Sequence, residues 1–213
     1  MTEAAVQRLA IIGCGLMGGS FALALREGGL VAHVSGYSPR ETTRQRALAL
    51  GVIDQAFDQL PLAIQGADLV LVAVPVSHMR STFATLAPHL GESALVMDVG
   101  STKQDVVAAA QVLGQRLSCL VPAHPIAGKE VAGVVHAEAT LYTGKKVILT
   151  PSEATNQALY AKAQALWEAV GSHVLTMTAE RHDAVFAAVS HLPHVIAFAA
   201  VNALSSQPQA DEL

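Results

Sequence analysis

Cysteine is scarce in this sequence of 213 residues, which contains only Cys14 and Cys119. Two cysteines far apart in the chain and outside any CxxC pair do not suggest a disulfide framework, so they favour a reducing compartment. We interpret Cys14 as a small loop residue rather than a reactive thiol. The N-terminus shows no charged stretch leading into a long apolar run, so the sequence predicts no signal peptide and a cytoplasmic protein.

Charged residues are also few, at 14% of the chain, and 13 basic against 17 acidic side chains give a formal net charge of −4. No basic cluster offers the positive surface that a phosphate backbone requires, so nucleic acid is not an expected partner. Hydrophobic residues make up 52% of the chain. This composition predicts a globular protein with a large buried core.

Short apolar runs alternate with segments of helical periodicity. Strands separated by amphipathic segments of about ten or more residues are typical of βαβ units. The sequence therefore predicts an α/β protein with a doubly wound, Rossmann-type parallel sheet over residues 1–177, followed by a helical region over 178–213. The predicted strands are 9–12, 31–37, 69–74, 94–99, 117–122 and 146–150.

The end of the chain is predicted to be helical. A helix over 156–170 stops at Gly171, a short strand at 173–177 follows, and Thr178 caps another helix that Pro193 kinks or restarts near Ser190.

The apolar stretch 184–204 is about as long as a membrane-spanning helix of roughly 20 residues. Its polar groups, among them Ser190 and Asn202, would be costly in hydrocarbon, which favours a helix buried at an interface and no membrane partner. Because the helix over 195–204 is apolar on nearly every side, we expect it to pack against a second copy of the chain.

A glycine-rich loop, GCGLMG at 13–18, follows the first predicted strand and opens a helix. Gly13 permits the tight turn, Gly15 lets the backbone approach a pyrophosphate, and Gly18 allows close packing of helix and strand. This placement predicts a dinucleotide-binding site rather than an ordinary glycine turn.

The end of the second strand indicates which dinucleotide is bound, because an acidic residue there favours NAD and repels a 2′-phosphate. This sequence has Ser38 at that position, with Arg40 and Arg44 following. A hydroxyl and a guanidinium favour NADP over NAD. The alternative is that both arginines are solvated residues at a helix start and that the enzyme accepts either cofactor.

His191 and His194 lie three residues apart, but two histidines separated by Pro193 do not make a metal site, and we predict no bound metal. Three polar motifs are more informative: DVGSTK at 98–103, AHPIAGKE at 123–130 and SHLPH at 190–194. The first two follow predicted strand ends, where open α/β sheets bind ligands.

Together with the glycine loop and GKKVILTP at 144–151, these motifs, in this order, resemble the prephenate and arogenate dehydrogenases over essentially the whole chain. The resemblance implies oxidative decarboxylation in tyrosine biosynthesis. Hydride passes from ring C4 of a small cyclohexadienol to the nicotinamide, a base takes the C4-hydroxyl proton, and loss of CO2 gives an aromatic product. It also implies a homodimer formed through the C-terminal helical region, which serves as a substrate and dimerisation domain.

The resemblance assigns roles to single residues. His124 is the catalytic base, and Ser101 touches the substrate hydroxyl and the nicotinamide side. His194 contacts the substrate and Glu130 lies near the pocket mouth, whereas His191 either binds substrate or only caps or packs a helix. The predicted cofactor-binding residues are Gly13, Gly15, Leu16, Met17, Gly18, Ser38, Arg40, Val74, Pro75 and Ser101.

The sequence departs from the family in two respects. Ser38 replaces the usual aspartate, and the family usually continues well past residue 213, so we interpret the chain as truncated at its C-terminus and lacking a substrate-binding arginine. Arg181 could substitute, but no motif supports it. Two alternatives stay open: a related dehydrogenase with a catalytic lysine, for which Lys103 is the only comparable candidate, and a module that binds dinucleotide without turnover.

Overall fold

The computed structural model of the protein describes residues 4–206, and its main feature is a parallel sheet. The strands are β1 (Val6–Ile12), β2 (Val31–Tyr37), β3 (Gln55–Phe57), β4 (Leu69–Val72), β5 (Leu95–Asp98) and β6 (Leu120–Val121). They pair in the order β3-β2-β1-β4-β5-β6. The chain therefore reverses its direction of winding between β1 and β4, as in Rossmann-type folds, and the predicted fold class is confirmed.

Helices connect these strands and cover both faces of the sheet. Alternate residues of β1 enter opposite cores, with Leu9 and Ile11 on one face and Ala10 and Ile12 on the other. A sheet buried on both faces explains why its strands are continuous apolar runs. The connecting helices are α1 (Leu16–Glu27), α2 (Glu41–Ala49), α3 (Leu60–Ala63), α4 (Val76–Leu86) and α5 (Lys103–Ala110).

A second, three-stranded sheet contains β7 (Ala123–Pro125), β8 (Lys146–Leu149) and β9 (His173–Thr176), in that order. The strand pair β7 and β8 is antiparallel, whereas β8 and β9 are parallel. The helix α6 (Gln157–Ala169) joins β8 to β9, and Asn156 caps it by accepting from two backbone N–H groups. The predicted helix and its stop near Gly171, where φ is +86°, are confirmed.

The predicted strand over 117–122 was wrong in extent. Residues Gln111–Cys119 form 3-10 turns interrupted at Gly114, and only Leu120 and Val121 pair with β5. Pro122 has no N–H to continue the ladder, so the chain leaves the main sheet and starts β7 in the second one. The short strands β3 and β7 were not predicted, because three residues carry too little periodicity to recognise.

The C-terminal part is one helical run. It contains α7 (Ala179–Phe186), a π-helical turn at Ala187–His191 and α8 (Leu192–Ser205). Thr178 caps α7 by accepting from the Arg181 N–H, and the irregular turn lies just before Pro193, as predicted. By length and composition alone, the run Ala179–Ser205 could cross a membrane, and none of its most apolar window is buried.

Candidate active site

The glycine loop between β1 and α1 has the backbone geometry that a dinucleotide requires. Gly13 has φ of +103°, and a Cβ placed there would lie 2.3 Å from the carbonyl oxygen of Ala73. A Cβ at Gly18 would lie 2.7 Å from the Gly13 oxygen, whereas one at Gly15 would meet nothing within 4 Å. Gly13 and Gly18 are therefore needed for close packing, and Gly15 leaves open space over the loop.

The N-terminus of α1 supplies the electrostatics of this site. Gly15 caps the helix without a side-chain hydrogen bond, so the N–H groups of the first turn have no partner from the cap and favour an anion. Leu16 is buried and Met17 is partly buried, with the Met17 carbonyl accepting from the Tyr142 hydroxyl at 2.7 Å. Leu16 and Met17 thus hold the start of α1 against the protein interior.

The end of β4 adjoins the same loop. Val74 Cγ1 lies 3.4 Å from the position of a Cβ at Gly13, and Pro75 caps α4. The starts of α1 and α4 therefore meet at the carboxyl edge of the sheet, where ligands of this fold class bind. The residues of this edge fit a dinucleotide phosphate bridge.

Polar residues follow the end of β2, where the adenosine ribose is held in this fold class. Ser38 is buried, and Arg40 is exposed at the start of α2. The Arg44 guanidinium turns back to donate to the carbonyl oxygen of Ser38 at 2.6 Å. Cys14 is buried beside Tyr37, and burial raises the pKa of its thiol to about 12, so it is an inert loop residue.

A buried ion pair fixes the next part of the edge. Lys103 donates through Nζ to Asp98 Oδ2 at 2.5 Å and to the Ala123 carbonyl at 2.6 Å, and both charged side chains are fully buried. Asp98 also accepts from the Ala123 N–H at 3.1 Å. The pair thus ties β7 to the end of β5. A buried ammonium that is held by two fixed acceptors does not fit the role of a catalytic lysine, which argues against that alternative.

His124, on β7, belongs to a chain of hydrogen-bonding side chains. Its Nδ1 lies 2.8 Å from His182 Nε2, and His182 Nδ1 lies 2.7 Å from Asp183 Oδ1. Asp183 in turn accepts from the backbone N–H groups of Lys103 at 2.8 Å and Gln104 at 2.9 Å. The chain links α7, β7 and the start of α5.

Phe186 forms an apolar wall against both imidazole rings. Its centroid lies 5.1 Å from that of His124 and 4.5 Å from that of His182, the second pair being stacked. Burial, followed by the nearby charges of Lys103, His182 and His191, lowers the pKa of His124 to about 3, against a smaller opposing effect of Asp183. His124 is therefore a neutral imidazole at physiological pH, because its surroundings disfavour the charged form.

A cavity of about 360 Å³ lies beside His124. Among the side chains predicted from the sequence, His124 lines it directly, together with Ser190 of the SHLPH motif. His191 lies near enough for its charge to affect His124 and His182. The residues lining the cavity are His124, Pro125, Ile126, Ala127, Gly128, Lys145, Phe186 and Ser190.

The other predicted residues lie outside this lining. Ser101 is exposed in the bend between β5 and α5, Glu130 is exposed in the loop after β7, and His194 is exposed on α8. Within residues 4–206, no group of three or more His, Cys, Asp and Glu side chains is arranged to hold a metal ion.

Sequence reasoning missed His182, Asp183 and Phe186. A signal was present, because His182 and Phe186 are four residues apart on a helix whose cap at Thr178 was predicted, and such pairs share a helix face. What the sequence did not show is that this face meets β7.

Comparisons with known proteins agree with this geometry. The profile of the prephenate dehydrogenase nucleotide-binding domain matches residues 21–176, and that of the prephenate dehydrogenase dimerization domain matches residues 178–213. This chain belongs to the prephenate dehydrogenase family. The first match begins after the glycine loop, so the loop geometry is a separate observation.

Individual members of the family show the same relationship. A cyclohexadienyl dehydrogenase of Zymomonas mobilis is 39% identical over 200 residues, covering 93% of this chain and 68% of the relative. A prephenate dehydrogenase of Bacillus subtilis is 35% identical over 195 residues, covering 90% of this chain. The chain spans 52% of the length of that relative.

Among solved structures, prephenate dehydrogenase from A. aeolicus in complex with hydroxyphenyl propionate and NAD+ superposes with a TM-score of 0.89. It is 38% identical, and the alignment covers 98% of this chain and 72% of that one. The function implied by the resemblance, oxidative decarboxylation of prephenate or arogenate with hydride transfer to NAD(P) in tyrosine biosynthesis, is the function of this family. The predicted enzyme class is confirmed.

Proposed function

We propose that this chain performs the family reaction with His124 as the base, and that it prefers NADP to NAD. The observation that carries the proposal is a neutral histidine that lines a cavity and is held against the carboxyl edge of a dinucleotide-binding sheet. The position at the cavity wall and the unprotonated state before reaction are those that a general base requires.

His124 takes the proton of the C4 hydroxyl, and the electrons of that O–H bond form the C4 carbonyl. The bound dinucleotide supplies an acceptor for the hydride that leaves C4. Breaking the bond between the ring and its carboxylate releases CO2. The electrons of that bond make the ring aromatic and convert the C4 carbonyl to a phenolate, which takes the proton back from His124. A positioned base typically contributes on the order of 10²- to 10⁴-fold to the rate.

The roles of the other predicted residues remain part of this proposal. Ser101 lies at the carboxyl end of β5 and would assist at the hydroxyl, and Glu130 would act at the cavity mouth. His191 and His194 follow the cavity residue Ser190 on the same helical run and would contact the substrate.

The test is cofactor reduction followed at 340 nm with prephenate and with arogenate, each supplied with NAD and with NADP. We expect turnover with at least one substrate, and a loss of about 10²-fold or more in His124→Asn. The matched control is His89→Asn, at an exposed histidine in the turn after α4. Full activity in His124→Asn, or no turnover with either substrate, would refute the proposal.

The preference for NADP rests on the end of β2. No carboxylate stands at Ser38, and the exposed guanidinium of Arg40 follows, while Arg44 is engaged with the Ser38 carbonyl. We expect Ser38→Asp to weaken NADP binding and strengthen NAD binding, because a carboxylate repels the 2′-phosphate and accepts from the ribose hydroxyl. Arg40→Ala should weaken NADP binding alone. Calorimetric titration measures both, and equal affinities of the wild type for NAD and NADP would exclude the preference.

We further propose that a second copy of the chain covers the exposed apolar face of α8, giving a homodimer. The match of residues 178–213 to a dimerization domain supports this proposal. A cytoplasmic location stays a prediction; it is consistent with Cys14 and Cys119, which are both free and buried.

A further inference from the structure

The hydrogen-bond chain that ends at His124 begins at a carboxylate. Burial opposes ionisation of Asp183, but the backbone N–H groups of Lys103 and Gln104, together with His182, outweigh that effect and lower its pKa. Asp183 is therefore ionised at neutral pH and can only accept hydrogen bonds. The proton between Asp183 and His182 must then belong to His182 Nδ1.

The protonation of His182 in turn determines which nitrogen of His124 carries a proton. Burial lowers the pKa of His182, against the opposing effect of Asp183, and its side chain is fully buried. A neutral imidazole that carries its proton on Nδ1 has a lone pair on Nε2. That lone pair faces His124 Nδ1 at 2.8 Å, so His124 must donate from Nδ1, which leaves its own Nε2 unprotonated.

We propose that His182 and Asp183 are positioning residues, which fix His124 in the tautomer whose Nε2 is the proton-accepting atom. The tautomer of His124 does not depend on the proposed function. Only the use of Nε2 as the base in the dehydrogenase reaction rests on it. When His124 accepts a proton, His182 still accepts from its Nδ1–H, and the Asp183 carboxylate at the end of the hydrogen bonds stabilises the positive charge, as the carboxylate of a catalytic triad does.

The arrangement also couples the two parts of the chain. His182 and Asp183 lie on α7, whereas His124 lies on β7 and the N–H donors to Asp183 lie at the start of α5. Phe186, one turn after His182, closes the side of both rings. His124 therefore lies on a strand of the sheet, and the helical region orients its ring.

The titratable groups that face His124 are Lys103, His182, Asp183 and His191, with Asp98 paired to Lys103.

Two variants of similar length separate positioning from packing. In His182→Gln the side-chain carbonyl can still accept from His124 Nδ1, whereas His182→Met fills the same space without an acceptor. We expect kcat of the methionine variant to fall about 10²-fold, with KM little changed, and the glutamine variant to stay within about tenfold of wild type. Equal losses in the two variants would overturn the inference.

The tautomer itself is measurable without substrate or cofactor. In a two-bond ¹H–¹⁵N spectrum of the full chain at pH 7, His124 should show a protonated Nδ1 in the wild type and in His182→Gln. In His182→Met this preference should be lost. A wild-type His124 protonated on Nε2 would overturn the inference. If Nδ1 is protonated but neither prephenate nor arogenate is turned over, the positioning inference stands and the proposed function fails.

Discussion

Phenylalanine side chains occupy opposite environments in the two parts of this molecule. Phe21, on α1, is fully buried and packs against Trp167 and Tyr142, with ring centroids 4.7 Å and 6.3 Å away. Phe198, on α8, is 69% exposed, among further exposed apolar residues of that helix. The nucleotide-binding part thus buries its large apolar side chains within its own core. The last helix has an apolar surface that none of the residues 4–206 covers.

Replacing each phenylalanine by alanine should give the largest difference between the two parts of the molecule. Phe21→Ala should lower the free energy of unfolding by about 3–5 kcal/mol, because it removes a large buried side chain and leaves a cavity. Phe198→Ala should leave the stability of the monomer unchanged and weaken self-association. Urea unfolding measures the first effect, and sedimentation velocity at several protein concentrations measures the second.

Sedimentation can also contradict the proposal that a second copy covers α8. A wild-type chain that sediments as a monomer at micromolar concentration would contradict it. A chain that instead partitions onto uncharged phosphatidylcholine vesicles, with Phe198→Ala reducing that partition, would show that α8 meets lipid rather than another copy.

Within the nucleotide-binding part, two glycines of the same loop should respond differently to alanine. Gly13→Ala forces a Cβ against the Ala73 carbonyl at a positive φ and should cost at least about 1–3 kcal/mol of stability. Gly15→Ala enters open space, so its thermal stability should match wild type while NADP binding weakens on the order of tenfold. Thermal unfolding and calorimetric titration give the two readouts, and unchanged NADP binding in Gly15→Ala would refute the placement of the cofactor.

The buried histidines should make stability depend on pH in a defined window. The pKa values of His124 and His182 are lowered from an ordinary value of 6.5, so the unfolded chain takes up protons first as pH falls below 6.5. Stability should be full above pH 7 and decline toward pH 5, by at most about 1.4 kcal/mol per pH unit for each histidine. The lowered pKa values of Asp54 and Asp183 act only below 3.8, outside this window.

Urea unfolding at pH 7, 6 and 5 checks this dependence. His182→Gln should reduce the slope, whereas His89→Gln, at an exposed site, should leave it unchanged. An equal slope in wild type and His182→Gln would show that His182 does not titrate differently in the folded state.

Local signals predicted the fold well. The strand over 31–37, the cap at Thr178 and the turn before Pro193 follow from apolar runs, a hydroxyl at a helix start and a residue without an N–H. The carboxyl edge as the site of chemistry follows from the topology of parallel sheets.

What the sequence could not show depends on contacts between distant segments. His124 and His182 are 58 residues apart in the sequence, and the backbone N–H of Lys103 donates to Asp183, which lies 80 residues later. Neither pairing leaves a periodic or spaced pattern in the sequence. Lys103 also looked like a candidate for catalysis, whereas its complete burial against Asp98 gives it a structural role.

The pH dependence of kcat/KM at saturating NADP tests the central claim most directly, namely that His124 is held neutral as the base. This parameter reports the ionisation of essential groups in the enzyme before substrate binds. Because the pKa of His124 is lowered to about 3, the account predicts that kcat/KM stays level from pH 8 to below 6. An acid limb at pH 6.5 or above would contradict it, since the base would then titrate as an ordinary solvated histidine.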